Sequence, residues 1–200
     1  MTADSARGLT RDDVAPNVSC SKATTAPNRR RASSARTTPS DHSNTMRLTE
    51  LLVPEAIVTD FPFATSSSKE DLLAAMVADL DQRGFVADRR VATEDILARE
   101  RVMSTGVGNG VAIPHAYTDG VERLSAAFYR TREAVAFGGP DGAPVDLFFI
   151  ILGPRDSRRE HIRLLARLSR LLNNADFRDH LRAAPNSDAV LGVFRRFGDR

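Results

Sequence analysis

The chain lacks the residues on which several classes of protein depend. Its 200 residues include one cysteine, Cys20, which excludes a disulfide framework and any cysteine-based zinc site. There is no tryptophan, and aromatic residues make up only 6% of the chain. No stretch approaches the roughly 18 apolar residues that a membrane-spanning helix needs, so we predict no membrane insertion. The single thiol is compatible with a reducing compartment, and we predict a cytoplasmic protein.

Positive charge is concentrated at one end of the chain. Residues 1–45 contain seven Lys/Arg and four Asp, whereas residues 46–200 contain 21 Lys/Arg and 22 Asp/Glu. The net charge of +2 therefore comes from the first segment. Because the remainder has no basic footprint, we predict no nucleic-acid partner.

Residues 1–45 also differ from the rest in composition. They are rich in Ser, Thr, Ala, Asn and Arg, and contain no aromatic residue. Such a segment cannot bury enough apolar surface to offset its ordering entropy, so we predict a disordered basic tail. We interpret the run 29–31 as solvated arginines rather than a phosphate contact. Patterned sequence begins at Met46, and we hypothesise that translation starts there or that the tail is dispensable.

Residues 46–200 have the pattern of one α/β (α+β) domain. Apolar patterning predicts strands at 55–61, 111–113, 124–132 and 145–152, the last nearly all apolar as in a strand buried on both faces. Capping-box pairs predict helices that begin at Ser67 (with Glu70) and at Ser157 (with Glu160). Further helices are predicted from Thr93 to about Met103 and around 175–184 and 187–197. This order indicates a mixed central β-sheet flanked by helices on both faces.

A glycine-rich segment at residues 104–115 is the most informative stretch. Gly106, Gly108 and Gly110 alternate, which is typical of a tight loop that exposes its backbone. A dinucleotide site needs a strand before such a loop and a helix after it, and here the order is reversed. A Walker phosphate loop needs Gly-Lys-Ser/Thr, which is absent. The glycines alone are therefore a weak signal for a phosphate site.

His115 follows this loop directly after Pro114. A neutral imidazole is a good nucleophile toward phosphorus near pH 7, because its ordinary pKa is about 6.5. The amides of Gly106, Gly108, Asn109 and Gly110 could position or screen a phosphoryl group on that ring. The alternative is a turn histidine that only bonds the backbone.

His161 and Arg99 are the two further candidates. His161 lies in the first turn of a predicted helix, at the end of a core-facing stripe with Leu165, Leu168 and Leu172. The helix N-terminus disfavours imidazolium, so a neutral ring could donate to a phosphoryl oxygen. Arg99 carries a fork suited to phosphate. The alternatives are a histidine at the core edge and an arginine that only caps its helix or pairs with Glu94 or Asp95.

Metal chemistry has little support in the sequence. A site built on His115 and His161 would need a third ligand, and no HxxxH, HExxH or His/Cys cluster supplies one. We therefore predict neither a metal nor a cofactor.

A family resemblance joins these residues. Residues 99–115, Arg-Glu-Arg-Val-Met-Ser-Thr-Gly-Val-Gly-Asn-Gly-Val-Ala-Ile-Pro-His, resemble the phosphorylation-site motif of EIIA domains of the fructose/mannitol/nitrogen-regulatory class. These domains belong to the phosphoenolpyruvate-dependent phosphotransferase system. The resemblance continues at 140–147 and 160–172 and covers about residues 47–197. It implies that His115 accepts the phosphoryl group, that His161 lies beside it, that Arg99 binds phosphate, and that Asn109 is near the site.

The resemblance implies a mixed sheet flanked by helices and a phosphotransferase function. An HPr-like phosphocarrier would donate to His115, and an EIIB domain would accept the group in sugar uptake. The alternative is a regulatory module whose phosphorylation state controls binding to a target protein, which residues 140–147 favour slightly because they look like the nitrogen-regulatory subgroup. A degenerate copy that is not phosphorylated is the third reading, against which the intact motif argues.

Overall fold

The computed structural model describes residues 51–63 and 68–198. The predicted tail, the start at Met46 and the predicted cap Ser67 lie outside these residues. The strands are β1 (Ile57–Phe61), β2 (Gly106–Gly108), β3 (Val111–Ala112), β4 (His115–Tyr117), β5 (Ser125–Val135) and β6 (Val145–Gly153). The helices are α1 (Lys69–Gln82), α2 (Arg89–Val102), α3 (Arg158–Leu172), α4 (Ala175–Ala183) and α5 (Ser187–Gly198).

The strands form one mixed sheet with β6 at its centre. The order is β1-β5-β6-β3-β2, and β4 also pairs with β6. β5 pairs antiparallel with one edge of β6, while β3 and β4 both pair parallel with the other edge. β3 and β4 therefore follow one another along the same edge, separated by Ile113 and Pro114.

β6 is buried on both faces, as its apolar sequence predicts. Phe148, Ile150 and Leu152 pack into a core with α1 and α2. The alternate residues pack into a second core with α3, α4 and α5. Because successive side chains of a strand point to opposite faces, helices cover the sheet on both sides. The predicted fold class is confirmed.

One predicted helix start is wrong, and another cannot be compared at its predicted cap. α1 has a capping box, but it joins Ser68 to Asp71 rather than using Glu70. α2 begins at Arg89 instead of Thr93, because the Asp88 carboxylate accepts the backbone N–H of Val91.

α3 begins where predicted, with Ser157 as its N-cap residue, but the predicted capping box is not formed. The Ser157 hydroxyl donates to the Pro154 carbonyl at 2.7 Å and makes no cap hydrogen bond to the helix. A short 3-10 turn, Arg155–Ser157, leads into the helix instead. Within α3, Leu164 rather than Leu165 joins His161, Leu168 and Leu172 in the buried stripe. None of the helices in residues 51–63 and 68–198 is long and apolar enough to cross a membrane.

Candidate functional site

His115 is the first residue of β4 and is fixed by the main chain around it. It pairs with Ile151 of β6, whose N–H donates to the Pro114 carbonyl at 2.9 Å. Proline has no N–H and cannot continue the hydrogen bonding of β3, so strand pairing with β6 is interrupted there and resumes at His115. The Ile113 carbonyl is turned toward the His115 ring, and its oxygen lies 2.8 Å from Nδ1.

This hydrogen bond determines the tautomer of His115. A carbonyl oxygen only accepts, so Nδ1 must carry the proton and Nε2 keeps its lone pair in the neutral ring. Burial lowers the pKa of His115, and the nearby Arg99 guanidinium lowers it further, although the Ile113 carbonyl acts in the opposite direction. The ring is therefore neutral and nucleophilic at Nε2 near pH 7.

His161 lies next to His115 and is fully buried. The two ring centroids are 5.8 Å apart, and the ring of Tyr117 of β4 lies tilted against the His161 ring, with 4.5 Å between their centroids. Neither His161 nitrogen has a hydrogen-bond partner among the described residues. Burial lowers its pKa to about 4, with a smaller contribution from His115. The ring is neutral as predicted, but burial is the main cause and not the helix N-terminus.

A buried imidazole with two unpaired nitrogens is unusual. Leaving a buried donor or acceptor unpaired costs about 1–3 kcal/mol, and such groups in native proteins call for a functional reason. Backbone packing holds this ring in place: a Cβ on Gly153 would lie 3.3 Å from His161 Nδ1 and 2.6 Å from Ser157 Oγ. The His161 ring therefore depends on the absence of a side chain at Gly153.

Arg99 and His115 line one open cleft of about 570 Å³. Arg99 lies near the end of α2, and its Nη1 donates to the Met103 carbonyl at 2.9 Å. This is the capping role left open by the sequence, whereas Glu94 pairs with Arg90 instead. Arg99 thus caps its helix and contributes a guanidinium to the cleft that contains His115.

The glycine segment is a hairpin in which only one end reaches this cleft. β2 pairs antiparallel with β3, and Gly106 is among the cleft-lining residues. Asn109 and Gly110 both have positive φ, 57° and 77°, as in a tight two-residue hairpin turn. Gly108, Asn109 and Gly110 do not line the cleft.

The main chain of the turn is bound elsewhere in the fold. The Asn109 N–H donates to the Asp141 carboxylate at 2.7 Å. The Asn109 carbonyl accepts from Arg182, and the Gly110 carbonyl accepts from the N–H groups of Asp146 and Leu147. The predicted phosphate-binding segment is thus divided, since the structure brings Gly106 to the cleft and leaves the other three at the far end of the hairpin.

Sequence reasoning missed one wall of the cleft. Gly138, Gly139 and Pro140 line it together with Leu165 and Ser169 of α3. A Cβ on Gly106 would lie only 2.9 Å from the Gly139 Cα, so the two glycine segments pack main chain against main chain. The Gly-Gly-Pro triplet indicates a turn, but nothing in the sequence pairs it with a glycine more than 30 positions earlier.

A family model matches this chain over residues 52–196. It is described as the phosphoenolpyruvate-dependent sugar phosphotransferase system, EIIA 2. The chain belongs to this EIIA family. The resemblance stated from residues 99–115, 140–147 and 160–172 is therefore confirmed.

Relatives of two kinds match this EIIA chain. A nitrogen regulatory protein of Pseudomonas aeruginosa is 36% identical over 149 residues, covering 74% of this chain and 94% of the relative. A fructose-specific EIIABC component of Bacillus subtilis is also 36% identical, over 76% of this chain but only 23% of the relative. The chain thus spans under a quarter of the length of that fructose-specific protein.

Solved EIIA structures share the fold. The nitrogen regulatory protein IIA-Ntr of Neisseria meningitidis superimposes with a TM-score of 0.66 at 35% identity, covering 73% of this chain and 97% of that one. An Escherichia coli complex of enzyme IIAMTL with phosphorylated enzyme IIBMTL has a TM-score of 0.60 at 24% identity, over 73% of this chain and 99% of that chain. At that identity the second match supports the fold alone.

Proposed function

We propose that this EIIA chain is a phosphohistidine carrier that accepts a phosphoryl group on Nε2 of His115. The Nδ1 hydrogen bond to the Ile113 carbonyl carries the proposal, because it leaves Nε2 as the nucleophilic nitrogen in a cleft that also contains Arg99. The donor is an HPr-like phosphocarrier that is itself phosphorylated on histidine. The reaction class is phosphotransferase chemistry without a metal.

The transfer balances with histidine as both leaving group and nucleophile. His115 Nε2 forms a bond to phosphorus while the N–P bond of the donor breaks, and the donor ring leaves as neutral imidazole when its other nitrogen is protonated. His115 then carries positive charge as a phosphoimidazolium. Its Nδ1–H stays on the Ile113 carbonyl, which stabilises that charge because a charged donor strengthens the hydrogen bond.

Arg99 and His161 stabilise the group in transit. Charge in a phosphoryl transition state spreads over three oxygens, and fixed cationic or N–H donors lower the barrier. Arg99 supplies a guanidinium, and its bond to Met103 limits how far that group moves. His161 supplies an N–H with no competing partner among residues 51–63 and 68–198, so a phosphoryl oxygen would satisfy a buried donor that is otherwise unpaired.

Incubation with labelled phosphoenolpyruvate, enzyme I and HPr tests this assignment. The unchanged chain becomes labelled, and His115→Ala takes up no label. His180→Ala is the matched control, because His180 is an exposed histidine on α4, and it should label at the normal rate. Full labelling of His115→Ala would reject the assignment.

The downstream partner distinguishes a function in sugar uptake from a function in regulation. An EIIB domain would accept the group in sugar transport, and the Escherichia coli mannitol protein forms such a complex with its phosphorylated IIB partner. Exposed Met103 and Val107 at the cleft offer an apolar contact to either type of protein. Both functions require a cytoplasmic location, which stays a prediction.

The regulatory function is the second candidate. It is favoured by the nitrogen regulatory relative, which this chain covers almost end to end at 94%. A phosphoryl group on His115 brings about −1.5 to −2 charge, partly offset by the imidazolium ring, to a surface with exposed apolar side chains, enough to change the affinity of a partner. Transfer from the labelled chain to a sugar-specific EIIB and onward to sugar would refute a purely regulatory role.

We further propose that residues 46–200 carry this function and that residues 1–45 do not. The intact mass of the chain produced in its native host tests whether translation starts at Met46. A mass matching the full 200 residues would reject the internal start.

A further inference from the structure

Glu100 is a buried carboxylate immediately after Arg99, with only 3% of its surface exposed. Both of its oxygens accept from the Thr105 backbone N–H, at 3.2 and 3.1 Å, and Oε2 also accepts from the Thr105 hydroxyl at 2.6 Å. Lys69 of α1 forms an ion pair with Oε1 at 3.3 Å. Burying an ionised carboxylate is costly unless it is paired and hydrogen-bonded, and here both conditions are met.

Two further hydrogen bonds connect this carboxylate to the reacting ring. The Thr105 carbonyl accepts the Ile113 N–H at 3.0 Å, which holds the segment after β3 against the start of β2. The Ile113 carbonyl in turn accepts from His115 Nδ1 at 2.8 Å. A continuous series of hydrogen bonds therefore runs from the end of α2 to the imidazole, through Glu100, Thr105, Ile113 and His115.

We propose that Glu100 is a positioning residue that sets the tautomer of His115 by holding Thr105, and through it the Ile113 carbonyl. Glu100 itself does not touch the reacting atoms. Its consequence for phosphoryl transfer rests on the proposed function, since a free Nε2 matters for labelling only if that nitrogen accepts the phosphoryl group. Without this clamp, the hydrogen bonds by which Glu100 holds Thr105, the Ile113 carbonyl is free to move away from Nδ1 of His115.

Glu100 also acts on the imidazole through its charge. Burial and then Arg99 lower the pKa of His115, whereas the Ile113 carbonyl and, to a smaller extent, the carboxylate of Glu100 raise it. Lys69 partly neutralises Glu100 and lies 5.7 Å from the centre of the Phe137 ring, so it also joins α1 to the segment after β5. Loss of Glu100 would therefore change both the geometry and the electrostatics of the imidazole.

The tautomer can be read directly, without any phosphorylation, by ¹⁵N-detected histidine side-chain spectra. The unchanged full-length chain is expected to show His115 protonated at Nδ1. Glu100→Ala should shift His115 toward the Nε2–H form, which is the more stable one in free histidine. Glu100→Gln should restore the Nδ1–H form, because the amide oxygen accepts from the Thr105 N–H and the amide NH₂ donates to its hydroxyl.

Glu94→Ala is the matched control, since Glu94 lies on the same helix in an exposed pair with Arg90 and should leave the spectrum unchanged. Circular dichroism and melting check the fold of each variant. If Glu100→Ala is unfolded, the spectra of Thr105→Val and Thr105→Ser are compared instead, because only valine removes the hydroxyl that bonds Glu100. Valine should then give a mixture of tautomers, and serine should not.

A second measurement, the rate of labelling, separates the positioning role of Glu100 from the proposed phosphocarrier function. Labelling by phosphorylated HPr should slow at least tenfold in Glu100→Ala and recover in Glu100→Gln. The positioning role is overturned if folded Glu100→Ala, or Thr105→Val in its place, keeps His115 entirely in the Nδ1–H form. This holds even if labelling of the unchanged chain is normal. Conversely, a tautomer shift in a protein that is never labelled would sustain the positioning role and refute the proposed function.

Discussion

His115 and His161 are the same residue type, and their rings lie 5.8 Å apart, but the fold treats them in opposite ways. His115 is half-buried at the edge of the cleft, and the Ile113 carbonyl fixes its proton on Nδ1. His161 is completely buried, and both of its nitrogens are unpaired within the part of the chain that the structure describes. One ring is oriented by the main chain and reaches the cleft, while the other is held by packing and keeps its hydrogen-bonding capacity unused.

The contrast matches the two tasks that the proposed function assigns to these imidazoles. A nucleophile needs a defined lone pair at the surface, which the backbone bond to Nδ1 provides. A donor to a transient anion benefits from being unpaired before the anion arrives, because its hydrogen bond then forms only when charge develops. Burial keeps this donor neutral, since it lowers the pKa of His161 to about 4.

The largest expected effect comes from removing each of the two rings in turn. His115→Gln should lose all labelling by phosphorylated HPr, because glutamine has no nucleophilic nitrogen. His161→Gln should still be labelled, but about 10²-fold more slowly, as expected for loss of one preorganised donor. Single-turnover labelling rates measure both. Equal loss in the two variants would remove the distinction between nucleophile and donor.

The next effect is on stability as a function of pH. The folded-state pKa of His161, about 4, lies below its value of about 6.5 in an unfolded chain. The unfolded state therefore binds more protons between these pH values, and the free energy of unfolding should fall as pH drops from 6.5 to 4, by up to about 3 kcal/mol.

Urea unfolding of the unchanged chain and of His161→Gln at pH 7 and pH 4.5 measures this contribution. Other titrating groups are common to both proteins, so the difference between their pH dependences reports His161. The same slope in both proteins would mean that the His161 ring is not held neutral by burial.

A smaller effect is expected from filling the space beside His161. Gly153→Ala places a Cβ 2.6 Å from Ser157 Oγ and 2.8 Å from a Leu124 methyl group, so both must shift. Overpacking of this kind costs about 1–3 kcal/mol and should also displace the His161 ring, slowing labelling while leaving His115 as the acceptor. Gly192→Ala is the control, because its position in α5 is open. A Gly153→Ala protein as stable and as active as the control would contradict the packing argument.

The smallest effect concerns the charge that acts on His115. Arg99→Gln removes a positive charge that lowers the pKa of His115, so that pKa should rise. The ring would then be protonated, and unable to react, at a higher pH than in the unchanged chain. An NMR titration of the ring protons measures the midpoint, and Arg101→Gln on the exposed side of α2 is the control. A midpoint that falls or does not move would show that Arg99 does not act on this ring.

The sequence predicts the parts of this arrangement that depend on local periodicity. The apolar run of residues 145–152 predicts a central strand, and the stripe from His161 to Leu172 predicts a helix with one buried face. It fails where competing polar residues decide a boundary, as when Asp88 starts α2 ahead of Thr93. The hairpin turn at Asn109-Gly110 is not predicted, because alternating glycines are equally typical of a loop that exposes its backbone, and the phosphate-binding role of Gly106, Gly108, Asn109 and Gly110 stays a prediction.

The site itself is only partly encoded in local sequence. Arg99, His115 and His161 could be singled out by residue type and position, and the structure brings Arg99 and His115 to one cleft with His161 beside His115. The Glu100 clamp and the wall at Gly138–Pro140 could not be, because both depend on contacts between segments separated by a turn or by several strands. Such contacts are made by tertiary packing and leave no periodic signal.

Identification of the phosphorylated ring nitrogen tests the central claim most directly. The full-length chain would be phosphorylated with phosphoenolpyruvate, enzyme I and HPr, kept at alkaline pH, and examined by mass spectrometry of its peptides and by ¹⁵N–³¹P coupling in the intact protein. The account predicts one phosphoryl group, on Nε2 of His115. A group on His161, on Nδ1 of His115, or on no histidine at all would contradict it.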